Sequence, residues 1–282
     1  MPGLPGRRGR PPASAHSPRL ELTGTSVVFL HAHPDDEAIF TGAIMRRLAS
    51  QGARVVLVTA TAGEEGALLC GPPASRAAEV RTAELERACA ELGVARLVLL
   101  GYRDSGMAGT GADRHPRAFA RHPVVAAARL ADLLRAEGAA ALVHDDAGGI
   151  YGHPDHLAAH RLGRAAVRLT GIPAYETTID RDALSPAVAH LVERNVPAGR
   201  RHALGSRPGQ ITTSVQATRE ELQAKHAAMR AHASQIPSTA LTSPSWPLAY
   251  ATEWFIRRGA PTVLDDVAGA ASADGQEPGT AA

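Results

Sequence analysis

Two short polar clusters carry the residue types that could do chemistry: His33-Pro34-Asp35-Asp36-Glu37 and Tyr151-Gly152-His153-Pro154-Asp155-His156. In the first, an imidazole and a carboxylate three residues apart can bind one zinc ion while a second carboxylate stays free as a base. In the second, His153 and His156 are three apart, so on a helical turn they face the same way. Two matched clusters at equivalent places in the chain point to one shared metal site. Acidic residues also suit the first turn of a helix, so Glu37 reads as structural, as does Glu65 in its loop.

Both clusters fall at strand-to-helix junctions. A β-branched apolar run at 26–30 precedes the first cluster, and a helix follows over about 36–50. Residues 54–59 read as a second buried strand, 75–92 as a helix, 96–100 as a third strand, 123–137 as a helix and 140–144 as a fourth strand. The second cluster comes next, with Pro154 suited to a first helical turn and apolar residues at helical spacing over 157–169. This alternation predicts an α/β, Rossmann-like, mostly parallel sheet with helices on both faces and the active site at the carboxyl ends of the strands. No GxGxxG follows the first strand, which removes the dinucleotide fingerprint and with it the main support for a dehydrogenase.

Composition sets limits around this pattern. At 282 residues, 44% hydrophobic and 21% charged, the chain is globular and long enough for a sizeable core. A net charge of +2 is too small to imply a polyanion, so no nucleic-acid partner is expected. Cys70 and Cys89 lack CxxC spacing and read as ordinary thiols of a reducing, cytoplasmic compartment. No apolar run reaches the roughly 18 residues of a membrane span. Residues 1–22 carry Pro, Gly and Arg without an apolar signal core and read as a disordered basic arm; 266–282 read as a disordered tail. Homo-oligomerisation is left open.

Taken together, the two clusters resemble the PIG-L/LmbE-like zinc-dependent de-N-acetylases, over roughly residues 25–170 with a weaker likeness to about 256. The resemblance assigns residues 23–265 to the deacetylase domain. It implies His33, Asp36 and His156 as ligands of Zn2+, although imidazole and carboxylate also accept Fe2+. Asp35 becomes the general base toward water. His153 becomes a cation beside the reacting carbonyl, held charged and oriented by Asp155, and Tyr151 a hydroxyl donor to the oxyanion. Arg81 and Asp104 fall where relatives bind sugar hydroxyls, the alternative for Arg81 being a surface ion pair with Glu84 or Glu64. Lys225 and His232-Ala233-Ser234-Gln235, at the end of an amphipathic helix over 221–235, look like a family segment that packs and walls the pocket, with His232 a capping or core-edge residue. The segment 146–150 departs from the Asp-Pro-Asn-Gly-Gly of many relatives, placing Ile150 where glycine is frequent. The implied reaction is hydrolysis of the acetamide of an N-acetylglucosamine-type glycoside, a sugar-containing thiol precursor or secondary metabolite, releasing acetate and a free amine. The alternatives are a zinc amidase for a larger acyl or thiol-conjugate amide, and a non-catalytic binding protein docking through Arg7, Arg8 and Arg10.

Overall fold

The apolar runs become strands, buried on both faces in β1, β2 and β4 and half-exposed in the edge strand β3. In the computed structural model, which describes residues 20–183 and 204–272, β1 (Ser26–His31), β2 (Arg54–Thr61), β3 (Arg96–Tyr102), β4 (Ala139–Asp145) and β5 (Ala174–Thr178) pair in parallel. β7 (Thr252–Arg258) runs antiparallel to β5 and to β6 (Thr213–Gln216), giving a seven-stranded sheet ordered β3-β2-β1-β4-β5-β7-β6. The helices are α1 (Asp36–Phe40), α2 (Gly42–Ser50), α3 (Ala77–Leu92), α4 (Ala127–Ala136), the single turn α5 (Gly149–Gly152), α6 (Pro154–Thr170), α7 (Arg219–Ala231), α8 (Ser238–Leu241), α9 (Trp246–Tyr250) and α10 (Val263–Ser272). No helix among the described residues is long and apolar enough to cross a membrane.

Strand periodicity sorts the core into two layers. Val27, Phe29, Val55, Leu57 and Val143 point to the face covered by α2, α3, α7 and α10, while Val28, Leu30, Val56, Val58 and Leu142 point to the face covered by α4 and α6. The expected class is therefore the observed one, with the antiparallel edge as an addition. Strand order runs one way from β1 to β3 and the other way from β4 to β5, so the sheet reverses between β1 and β4. That reversal opens a crevice at the carboxyl ends of the two strands, which are the strands that lead into the two polar clusters.

Three boundaries differ from the sequence reading. The helix expected over 36–50 is broken at Thr41, whose φ of −138° leaves the helical region. A new helix start at Gly42 is supplied from far along the chain, because Glu253 on β7 accepts the Ala43 and Ile44 N–H groups at 2.8 and 2.9 Å. Lys225 donates to the same carboxylate at 2.6 Å, and both partners are buried. The helix expected from 123 begins at Ala127. Finally, the packed chain overruns both ends of the expected 23–265 domain: Leu22 joins the core, and Val267 is fully buried on α10. Residues 1–19 of the expected arm, including Arg7, Arg8 and Arg10, and 273–282 of the expected tail lie outside the described residues.

Removing one partner of a buried ion pair strands the other charge. Glu253→Ala leaves Lys225 unpaired and uncaps α2, so it should lower unfolding free energy by about 3–5 kcal/mol in urea titrations. A loss below about 1 kcal/mol, the level of exposed pairs, would show that this contact does not anchor β7 to α2.

Candidate active site

Strand ends deliver the site's residues and helix starts turn them inward. β1 ends at His31 and the chain passes through His33 into α1; β4 ends at Asp145 and passes through α5 into α6. Here the two clusters meet. His33 Nδ1 lies 3.7 Å from Asp36 Oδ2, and His156 Nε2 lies 3.5 Å from Asp36 Oδ1. A pocket of about 340 Å3 is lined by His33, Asp35, Asp36, Arg81, Asp104, Tyr151 and His153, with Ile39, Phe40, Glu65, Met107 and Gln235 among the remaining walls.

Two sets of side chains among the described residues bring three donor atoms within 4.8 Å of one another: His33, Asp36 and His156, and His33, Asp104 and His153. Hydrogen bonding separates them. In the first set the ring nitrogens turned away from Asp36 are each backed by a buried carboxylate, His33 Nε2 by Asp155 at 3.3 Å and His156 Nδ1 by Asp145 at 2.9 Å. Metal-binding histidines are held in this way, which fixes the ring and raises its basicity. The second set would need His33 Nε2, already facing Asp155, and Asp104, whose oxygens accept the Glu65 and Gly106 N–H groups at 3.2 and 2.8 Å. The first set fits a divalent cation.

Electrostatics agree. Burial opposes charge on His33, yet the surrounding Asp104, Asp155 and Asp36 carboxylates hold its pKa well above the usual value. His156 is raised likewise, burial being outweighed by Asp36 and Asp145. The crevice carries more carboxylate than imidazole can balance without protonation, and a bound cation would take the place of those protons.

Asp35 sits beside this set with φ of 108°, an uncommon backbone for a side-chain-bearing residue. Burial raises its pKa to about 6, with Arg81 pulling the other way. Arg81 is not on the surface and pairs with neither Glu84 nor Glu64. It is 4% exposed, donating to the Gly63 and Pro34 carbonyls at 2.6 Å each and approaching Asp35 Oδ2 at 3.3 Å. Gly63, at φ 66°, must be glycine here, because a Cβ would come within 2.3 Å of the guanidinium. Glu84 instead accepts the Ser234 N–H and hydroxyl at 2.9 and 2.6 Å, docking the segment that follows α7.

The second cluster needs one correction. Asp155 does not clamp the His153 ring as a cation: its carboxylate serves His33 and accepts the Ser105 N–H at 2.9 Å, and only its backbone N–H reaches His153 Nδ1, at 3.1 Å. Burial, reinforced by His33 and His156, depresses the His153 pKa to about 2. His153 is thus a neutral ring whose Nδ1 accepts and whose Nε2 carries the proton. Tyr151 places its hydroxyl 3.3 Å from His156 Nε2, and burial, with the Asp36 and Asp35 charges, holds it protonated far above neutral pH. Ile150 has φ of 57°, strained for a β-branched residue, which explains why glycine suits that position. Its side chain is fully buried beside Ile179 and Leu204.

Sequence reasoning missed Asp145 and undervalued Glu37 and His232. Asp145 ends β4 and joins His156 to His31, whose Nδ1 is 3.4 Å away. An acidic residue closing an apolar strand, just before a metal-type cluster, was the available signal.

A donor set that fits a divalent cation, with the Asp35 carboxylate beside it at the switch point of a parallel sheet, is an arrangement that metal-assisted hydrolysis can use. Residues 28–167 match the family described as PIG-L, GlcNAc-PI de-N-acetylase. The chain is 38% identical over 292 residues to the 1D-myo-inositol 2-acetamido-2-deoxy-alpha-D-glucopyranoside deacetylase of Thermomonospora curvata, covering 91% of this chain and 96% of that protein. Among solved structures, N,N'-diacetylchitobiose deacetylase from Pyrococcus horikoshii matches with a TM-score of 0.55 at 20% identity, over 83% of this chain and 84% of that one. A 4-carboxy-2-hydroxymuconate hydratase from Pseudomonas putida matches with a TM-score of 0.56 at 16% identity, over 85% and 98%. At such identities the likeness is one of fold, and the fold alone does not choose the reaction. The chain belongs to the PIG-L family of de-N-acetylases. It is an N-deacetylase, a hydrolase of amide bonds, which sets aside the reading as a non-catalytic binding protein.

Loss of the carboxylate behind a metal-binding histidine typically costs 10–100-fold in affinity. Asp145→Ala should therefore release its metal to a competing chelator at roughly 10–100-fold lower chelator activity than wild type. Unchanged competition would remove Asp145 from the metal site.

Proposed function

We propose that this enzyme uses Zn2+ held by His33, Asp36 and His156 to deacetylate an N-acetylglucosamine-type glycoside, with an N-acetylglucosaminyl inositol as the leading substrate. The observation that carries the reading is the His33–Asp36–His156 donor set with Asp35 beside it. The named relative of Thermomonospora curvata supports the substrate, since its name states that glycoside and nearly its full length aligns. When bound, zinc supplies Lewis acidity toward the acetamide carbonyl and the attacking water.

The chain's own residues do the rest. Asp35, with a pKa of about 6 from burial opposed by Arg81, is mostly ionised at neutral pH yet basic enough to take the proton of the attacking water. Tyr151 donates its hydroxyl to the carbonyl oxygen as charge develops there; such a donor is worth roughly 3 kcal/mol. His153, neutral and protonated on Nε2, donates a hydrogen bond to the same region, and the proton that Asp35 takes from water is the one passed on to the departing amine. Asp155 acts through His33, holding its ring, and is a positioning residue. Asp104 offers its carboxylate to sugar hydroxyls. Arg81 has most of its donors engaged by Gly63, Pro34 and Asp35, so it shapes the pocket wall and presents only its remaining edge to substrate. Water is consumed, the C–N bond breaks, and acetate and a free amine leave.

The test is acetate release from 1D-myo-inositol 2-acetamido-2-deoxy-alpha-D-glucopyranoside, free N-acetylglucosamine and a panel of other glycosides, by zinc-loaded wild type beside Asp35→Ala. Wild type should prefer the inositol glycoside, and Asp35→Ala should lose on the order of 10²–10⁴ in kcat. Equal rates would remove Asp35 as base; release only from larger amides would replace the substrate.

A pH profile follows from the same residue. Protonating Asp35 destroys the base, so kcat/KM should fall as pH drops through about 6. A neighbouring cation favours the carboxylate and moves that midpoint lower. Activity that rises below the midpoint would contradict the assignment.

A further inference from the structure

We infer that Glu37 and His232 are positioning residues that together hold the backbone of Asp35 in the conformation that presents its carboxylate to the pocket. The inference rests on the reading of Asp35 as the base. Asp35 has φ 108° and ψ −27°. A non-glycine residue there costs of order 1–3 kcal/mol and persists only when its surroundings over-determine it.

Two restraints meet at this residue. On one side, Arg81 grips the preceding carbonyl of Pro34 at 2.6 Å. On the other, Glu37 Oε2 accepts the Asp35 N–H at 3.0 Å, while Glu37 Oε1 is bonded to His232 Nε2 at 2.6 Å. Both Glu37 and His232 are fully buried. A carboxylate present only for the helix dipole would stand in water; this one is spent on one backbone N–H and one imidazole. His232 Nδ1 is buried without a hydrogen-bond partner, so a proton on Nε2, directed at Glu37, is the satisfied arrangement. The imidazole thereby fixes the carboxylate, and the carboxylate fixes the strained peptide.

The metal ligand next door is held separately, because Asp36 Oδ2 accepts the His33 N–H at 2.8 Å without help from Glu37. Loss of Glu37 should therefore spare the metal set and misplace the base. The Asp35 backbone can then relax toward negative φ, carrying its carboxylate away from the reacting atoms.

The experiment uses zinc-loaded enzyme and 1D-myo-inositol 2-acetamido-2-deoxy-alpha-D-glucopyranoside. Glu37→Ala should lower kcat by about 10²-fold, the usual effect of a misplacement near 1 Å, while KM stays within about twofold and zinc remains at about one per chain. Glu37→Gln keeps an oxygen for the Asp35 N–H but turns an amide donor toward His232 Nε2, which must then carry its proton on Nδ1 instead, so it should recover part of the loss, to within about tenfold of wild type. In an Asp35→Ala background, Glu37→Ala should change kcat by less than about twofold, because it acts only through the missing base. Equal losses in both backgrounds, loss of zinc, or no loss in wild type would each overturn the inference. Wild-type rates in Asp35→Ala itself would instead overturn the assignment of the base. Should Glu37→Ala not fold, the paired Glu37→Leu/His232→Leu variant removes both polar partners without orphaning either, and the same split between kcat and KM decides.

Discussion

The pairing of β1 with β4 is the contact on which the rest of the site depends. These strands are neighbours in space although more than a hundred residues of chain separate them, and their register sets Leu30 beside His144. One residue further on, His31 and Asp145 face each other at the sheet's edge, where the apolar pattern of both strands stops. Below that line, burial of Val28, Leu30 and Leu142 on one face and Val27, Phe29 and Val143 on the other pins the register, because a one-residue slip would turn every one of them to the wrong layer. Above it, the same register brings the His33 cluster and the His156 cluster to one point. The chemistry inherits its precision from hydrophobic packing that never touches substrate.

What gathers there is a buried excess of carboxylate. Asp36 and Asp145 flank His156, and Asp36, Asp104 and Asp155 surround His33. Ionised groups out of water are costly unless paired, so this arrangement is stable only if positive charge is present. Without a cation, the two imidazoles take up protons to supply it; with one, they revert to neutral donors. His153 stands within 4.6 Å of the His33 ring and 5.6 Å of the His156 ring, and burial, reinforced by their charges, pushes its own pKa down. Three histidines in one crevice are thus driven to two different states by which carboxylates each one touches.

Much of this was legible in the sequence because it is written locally. Apolar runs at strand length, alternating with helical spacing, gave the parallel core, and the spacing within each cluster pointed to a shared metal, while the choice of His33, Asp36 and His156 as its ligands came from the family resemblance. Features made by distant partners were hidden. The break at Thr41 depends on Glu253, which reaches α2 from 210 residues away. Asp155 illustrates the limit more sharply: next but one to His153, it invited a side-chain bond between them. Residues two apart at a helix start do not face each other, so its carboxylate turned to His33, 122 residues upstream. Glu37 fitted a helix-dipole pattern so well that nothing local hinted at His232.

Backbone strain connects these observations. Among the described residues, Asp35 and Ile150 alone carry positive φ without being glycine, and they lie in the two clusters that build the pocket. Each has its own N–H taken by a buried acid two or four residues away, Asp35 by Glu37 at 3.0 Å and Ile150 by Asp146 at 2.9 Å. Each acid is in turn anchored from a remote element, Glu37 by His232 and Asp146 by the Thr178 hydroxyl. Relaxing either residue would free a buried N–H and an acid together, at a cost comparable to the strain itself. For Ile150 there is a further restraint, since relaxation would also disturb its contacts with Ile179 and Leu204. The residue that follows it is Tyr151, and the one that precedes Asp36 is Asp35. The unfavourable backbone therefore falls at the proposed base and next to the proposed hydroxyl donor, and in both places a remote element, the end of α7 or β5, provides the hydrogen bonds that keep it.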